Sequence, residues 1–204
     1  MMFTLVCTGG IGSGKSYCSE IFRNLGIPVY DADDKTKDLY SRDSLLQSRL
    51  NDLLGMDIVR DGVLQREAIA AAIFSDREML NKVNALVHPA VLEDFYKWRD
   101  IREAEGYDMV MIESAIYLET PVFEGTADKV IVVFSPLKVR IGRIVKRDSL
   151  TEEMVMLRIE KQISDQERAL KADYTIYSDG EKAVLPQVME ILRDIKRGGY
   201  NGIR

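Results

Sequence analysis

Eight residues near the start of the chain, Gly9-Gly10-Ile11-Gly12-Ser13-Gly14-Lys15-Ser16, constrain the fold more than any other feature. They fit G-x-x-x-x-G-K-[ST] at every fixed position. A short β-prone run at 3–7 precedes them. Helical spacing from 16 to 25 follows, with Cys18, Ile21, Phe22 and Leu25 on one side and Gly26 placed to end the helix. Glycines allow a tight loop whose backbone N–H groups all point inward at phosphate oxygens. The helix start adds unsatisfied N–H groups and the positive end of its dipole. The pattern therefore predicts a nucleoside-triphosphate site at Gly10, Ile11, Gly12, Ser13, Gly14, Lys15 and Ser16. Lys15 would reach the β- and γ-phosphates, and Ser16 would hold the Mg²⁺ that bridges them.

The rest of the chain alternates between strand-like and helix-like spacing. Residues 27–30, 109–112, 129–134 and 174–177 read as further strands, apolar throughout as expected where both faces are covered. Residues 33–54 are helical and charged, and 62–64 form a turn into a helix carrying Ile69, Ile73 and Phe74. From 76 to 105 runs a long helical stretch, which Pro89 should divide into two helices meeting near His88. Val91, Leu92, Phe95, Trp98 and Ile101 make a helical stripe read as packing surface. A basic helical region covers 136–168, an amphipathic helix ends near Arg197, and the tail 198–202 is expected to fray. Strands alternating with helices predict an α/β fold of the P-loop NTPase type: three layers, with a five-stranded, mainly parallel sheet flanked by helices. Within 204 residues this makes a single domain. Its core is expected at about 1–33, 107–137 and 170–197, with a helical substrate-binding insertion at about 34–106 and a lid at about 138–169.

Composition narrows the partners. The formal net charge is −5, whereas a dedicated nucleic-acid binder is usually basic, so no nucleic-acid partner is expected. An acidic protein can still hold polyphosphate through a local cluster of donors. The two cysteines, Cys7 and Cys18, have neither a metal-binding spacing nor a disulfide framework. No apolar run is long enough to span a membrane, and the N-terminus lacks the basic flank and apolar core of a signal peptide. The expectation is a soluble, cytoplasmic protein without a membrane partner.

Two further constellations carry chemistry. Asp31-Ala32-Asp33-Asp34 follows the second strand, and ligands of parallel α/β sheets sit beyond the carboxyl ends of strands. In extended chain Asp31 and Asp33 would face the same side. One could then take the proton of an attacking hydroxyl while the other orders Mg²⁺-bound water. Asp33 is the preferred base, although Asp33 or Asp34 is equally an ordinary N-cap. After Ser135-Pro136 come Lys138, Arg140, Arg143, Lys146 and Arg147, with Arg140, Arg143 and Arg147 at helical spacing. Such a face could close over a nucleotide and stabilise the charge of phosphoryl transfer, or it could be a solvated face paired with Asp148, Glu152 and Glu153. Cys18 lies where a helix dipole can lower a thiol pKa, or is simply packed against the sheet.

Over nearly its whole length the chain resembles the dephospho-CoA kinase family. The resemblance is carried by Thr8 with the loop 9–16, by Asp31-Ala32-Asp33, and by Leu64, Arg66, Phe74, Leu80 and His88-Pro89-Ala90-Val91. Glu119, Arg143, Arg147-Asp148, Gln162, Arg168 and Ala172-Asp173 continue it. It departs at Ser114-Ala115, where the family has a proline, at Ser178-Asp179-Gly180, which replaces an asparagine-rich turn, and at Tyr17. The resemblance implies Mg²⁺-dependent transfer of the γ-phosphoryl group of ATP to the ribose 3′-hydroxyl of dephospho-CoA. It also implies Lys15, Asp33 and Arg143 as catalytic residues and Arg147 as an ATP contact. Asp31, His88 and Glu119 would lie near the acceptor. From spacing alone His88, the single histidine, is a neutral packing residue.

Rival readings can be weighed on the same residues. Another small-molecule P-loop kinase, such as a nucleoside monophosphate kinase, would share the fold and the loop. A GTPase switch needs N-K-x-D after a strand, yet Asn81-Lys82-Val83-Asn84 fails at its last position and lies in a helical stretch. A transporter ATPase would need a longer chain and a signature motif that is missing.

Overall fold

In the computed structural model, which describes residues 2–74 and 76–198, the chain folds as two compact units. One comprises Met1–Asp31 and Arg99–Arg204, the other Ala32–Trp98. The expected fraying of the tail concerns residues 199–202, which lie outside the described residues apart from Gly198.

The first unit is built on a five-stranded sheet of β1 (Phe3–Thr8), β2 (Val29–Asp31), β5 (Met109–Glu113), β6 (Lys129–Phe134) and β7 (Tyr174–Tyr177). The order is β2-β5-β1-β6-β7 and every pairing is parallel, as apolar strands alternating with helices require. Alternate residues of β1 serve opposite faces. Leu5 and Cys7 join Met109, Met111, Ile131, Val133 and Ile176 against Cys18 and Phe22 of α1 (Lys15–Asn24) and Val188, Ile191 and Ile195 of α9 (Val184–Arg197). On the other face Thr4, Val6, Val110, Ile112 and Val132 are buried too. The basic region expected at 136–168 resolves into α6 (Leu137–Asp148), α7 (Glu152–Glu160) and α8 (Asp165–Leu170). Ser149 in the left-handed region, Thr151 as N-cap and a Ser164/Glu167 capping box set the breaks.

The second unit is helical. The stretch expected as one run from 33 to 54 is two helices, α2 (Ala32–Arg42) and α3 (Ser44–Leu54), because the Asp43 carboxylate caps α3 by accepting from Leu46 N–H at 2.9 Å. The turn expected at 62–64 is a small hairpin of β3 (Val59–Arg60) and β4 (Val63–Leu64), before α4 (Arg66–Phe74). Asp61 and Gly62 both take positive φ, as a two-residue hairpin turn of type I′ requires.

Pro89 does not split the next helix: α5 is continuous from Arg77 to Ala104. Pro89 can offer no N–H to the carbonyl of Ala85, but both residues are exposed, so water can take that carbonyl. Meanwhile Val83, Val87, Val91 and Phe95, spaced by four, bury a continuous apolar row across the proline. That row replaces the expected stripe at its far end, where Ile101 is exposed. Among the described residues no helix is long and apolar enough to cross a membrane.

Candidate active site

The loop between β1 and α1 leaves the sheet at its switch point, between β5 on one side and β6 on the other, where parallel α/β sheets bind ligands. Ser13 N–H closes a tight turn on the Gly10 carbonyl at 3.0 Å, and Cys18 N–H makes the first helical bond to the Gly14 carbonyl at 3.1 Å. Gly14 is the N-cap in the left-handed region, and a Cβ there would lie 2.7 Å from Ser178 Oγ. Both facts demand glycine. The Thr8 and Ser13 hydroxyls are buried without a protein hydrogen-bond partner, so polar groups remain to be satisfied around the loop.

Register aligns the carboxyl ends of the strands. Cys7 of β1 and Asp31 of β2 are both level with Glu113, the last residue of β5. Glu113 is buried, and its carboxylate accepts from Ser16 Oγ at 2.8 Å and from Ser19 Oγ. Ser16 is thereby held as a donor toward the sheet, which leaves its lone pairs available to a cation. Among the described residues no cluster of three or more His, Cys, Asp or Glu could hold a metal ion alone. A magnesium ion fits here only as companion of a nucleotide, with Ser16 as protein ligand and phosphate and water oxygens around the rest.

Sequence reasoning passed over Glu113. The signal was present: an acid directly after four apolar strand residues, at the carboxyl end of a strand. Only the pairing of β5 with β1 brings it beside Ser16.

The basic helix divides its arginines. Arg140 is buried, Arg143 half-buried and Arg147 exposed. Arg143 Nη1 donates to the Gly12 and Ser13 carbonyls at 3.3 and 3.1 Å, and its Nη2 to the Ser178 carbonyl at 2.9 Å. Arg143 thus grips the back of the loop. Arg147 donates to the neighbouring Asp148 at 2.7 and 3.0 Å, which raises its own pKa and lowers that of Asp148. This is the solvated pairing that the sequence left open for one member of the cluster.

The remaining candidates are more scattered. Asp31 ends β2, but helix α2 begins at Ala32, so Asp33 sits in a first helical turn and the expected extended, same-side geometry of Asp31 and Asp33 is absent. There the exposed Asp33 and Asp34 face the positive end of the α2 dipole, and a hydrogen bond from Lys37 lowers the pKa of Asp34. Glu119, in a single helical turn at Tyr117–Glu119, accepts from Arg168 Nη2 at 3.2 Å. His88 is half-buried on α5, and burial lowers its pKa. Cys18 is packed in the core against the sheet, the second of the two readings the sequence allowed, and burial pushes its thiol up to about 12.

Sheet order, switch-point loop and the Ser16–Glu113 pair define a P-loop nucleotide-binding protein of the small-kinase class. The dephospho-CoA kinase family model matches residues 3–183, and the chain belongs to that family. It is similar to dephospho-CoA kinases of Porphyromonas gingivalis (39% identity, covering 96% of this chain and 95% of that one) and Bacteroides fragilis (35%, 94% and 92%). Among solved structures, TT1252 from Thermus thermophilus is 27% identical with a TM-score of 0.82, covering 95% of this chain and 97% of that one. The dephospho-CoA kinase of Campylobacter jejuni, 23% identical, shares the fold with a TM-score of 0.70 over 98% of this chain and all of the other.

Proposed function

We infer that this protein transfers the γ-phosphoryl group of ATP to the ribose 3′-hydroxyl of dephospho-CoA, giving CoA and ADP. The observation that carries the reading is the phosphate loop at the switch point, its Ser16 hydroxyl bonded to the buried Glu113, in a chain that the family model spans from 3 to 183.

The loop 10–16 cradles the phosphates through its backbone amides, apart from the Ile11 and Ser13 N–H groups, which are held by Gln162 and by the Gly10 carbonyl. Lys15 sets its ammonium against the β- and γ-phosphates. Magnesium, when bound with the nucleotide through Ser16, would offset the charge of the phosphate oxygens. Asp33 takes the proton of the attacking hydroxyl. Arg143 supplies positive charge beside the loop, and Arg147 contacts ATP from the exposed end of α6. Asp31, His88 and Glu119 serve the acceptor. In this reading 34–106 binds the coenzyme moiety and 138–169 acts as a lid over a core of 1–33, 107–137 and 170–197. In the same reading the enzyme is cytoplasmic and works without nucleic-acid partners, the net charge of −5 being unlike that of a dedicated nucleic-acid binder.

The test is direct. Purified protein with ATP and Mg²⁺ is offered dephospho-CoA, AMP, dTMP and shikimate in turn. Turnover with dephospho-CoA alone is expected, and Asp33→Asn should keep ATP affinity while slowing transfer about a hundredfold or more. Turnover of another acceptor but not dephospho-CoA would overturn the assignment. Unchanged transfer by Asp33→Asn would remove Asp33 as the base.

A further inference from the structure

One peptide of the phosphate loop is held from both ends. Ile11 N–H donates to Gln162 Oε1 at 2.8 Å, and the Ile11 carbonyl accepts from Arg140 Nε at 2.9 Å. Arg140 belongs to α6, and Gln162 to the turn between α7 and α8. Arg140 is only 2% exposed, and its Nη1 donates to both oxygens of Asp165 at 3.1 and 2.9 Å. Asp165 also accepts from Arg168 Nη1 at 3.0 Å, and Arg168, buried as deeply, reaches Glu119. Two guanidinium groups and two carboxylates thus alternate in a line that ends on the loop, and their formal charges cancel. The approach is close: a Cβ on Gly10 would run into the Arg140 guanidinium.

We propose that Arg140, Asp165 and Gln162 are positioning residues that set the orientation of the Ile11 peptide. They make the nucleotide-ready shape of the loop depend on α6–α8 being docked against it. The proposal rests on the loop's nucleotide-binding role. The physical case is that a peptide fixed at both N–H and carbonyl cannot rotate, so the inward amides that follow it keep their aim. A fork is needed at Arg140, because one nitrogen serves the loop while another serves Asp165, and lysine has no such pair of donors. Asp165 in turn keeps two buried guanidiniums from facing each other uncompensated.

The experiment measures binding of the Mg²⁺ complex of a non-hydrolysable ATP analogue by calorimetry, alongside steady-state kinetics with ATP and dephospho-CoA. Thermal melts confirm that each variant is folded. Arg140→Lys, Asp165→Asn and Gln162→Ala are each expected to weaken analogue binding and raise KM for ATP about five- to twentyfold, with KM for dephospho-CoA within about twofold. Arg140→Lys combined with Asp165→Asn should cost less than the product of the two, and Asp165→Glu should recover most of the loss. Gln162→Ala changes no charge, so it stays informative if a buried-charge variant fails to fold. Unchanged analogue affinity in folded Arg140→Lys and Gln162→Ala would overturn the proposal. So would losses that shift both substrates alike in step with melting temperature. If the wild type binds the analogue but does not phosphorylate dephospho-CoA, the assigned reaction falls while the binding measurements still decide the role of these residues.

Discussion

Replacing Glu113 with glutamine separates the charge of the strand-end carboxylate from its shape. The native side chain accepts from both Ser16 and Ser19. Glutamine can still accept from Ser16 through its carbonyl oxygen. Its NH₂ can donate to Ser19, whose hydroxyl already lies 3.2 Å from the Ser16 carbonyl and can donate there instead. The geometry around Ser16 therefore survives, and only charge assistance is lost. A charge-assisted bond is worth about 1.5–3 kcal/mol against about 1 for a neutral one, so the hold on Ser16 weakens by about 0.5–2 kcal/mol, with a middle value of about 1.3. Since about 1.4 kcal/mol is tenfold in rate, kcat/KM for MgATP should fall about tenfold. Relief of carboxylate desolvation offsets part of the lost bonding, so the melting temperature should stay within about 4 °C. Glu113→Ala strips the Ser16 hydroxyl of its acceptor, while Ser19 falls back on the Ser16 carbonyl, and should cost about a hundredfold or more. The assay is steady-state phosphorylation of dephospho-CoA at varied MgATP, with melts run in parallel. Glu113→Gln with kcat/KM within twofold of wild type would refute the idea that this carboxylate holds Ser16 for catalysis. A loss that simply follows unfolding would refute it as well.

Other expectations follow from the same structure. Pro89→Ala should stabilise the protein: alanine is about 3 kcal/mol better in a helix interior, less about 1 for a looser unfolded chain, giving about 2 kcal/mol and a melting temperature about 4–8 °C higher by calorimetry. A lower one would mean that Pro89 is packed rather than tolerated. Because burial lowers the pKa of His88, the unfolded chain binds its proton first as pH falls below about 6.5, so stability should decline from there toward the folded value and level off below it. Denaturant titrations of His88→Gln should lack that part of the decline. Cys18 runs the other way: with its thiol pushed up to about 12, the unfolded state loses the proton first, and stability falls as pH rises from about 9 toward 12. Below that range a thiol reagent at pH 8 should modify neither Cys7 nor Cys18 in native protein and both after denaturation, since both are buried. Rapid native labelling would contradict this packing.

Local information carried the loop, β1, α1, β6 and β7. Eight consecutive residues define the phosphate loop, and the glycines it needs answer to backbone geometry that is written residue by residue. The apolar strands likewise announced a parallel sheet. Local rules misled where context outweighs them. Pro89 was expected to break a helix, but an exposed carbonyl and the row from Val83 to Phe95 carry α5 through it. Gly62 signalled a turn, yet the hairpin also needed Asp61 in the left-handed region and β3 to pair with.

By itself, the sequence determined the loop: amides, a lysine and a serine set within eight residues, whose spacing predicts a phosphate cradle. The tertiary structure decided which side chains serve that cradle. Glu113 is 97 residues from Ser16 and meets it only because β5 pairs with β1. Arg140, 129 residues from Ile11, and its partner Asp165 meet at the loop only when α6 and α8 are in place. Helical spacing made Arg140, Arg143 and Arg147 look equivalent, and burial against the loop made them three different groups. Charges that meet only after long loops close leave no mark in local spacing, because their contacts are bought by the burial of the sheet and helices that carry them.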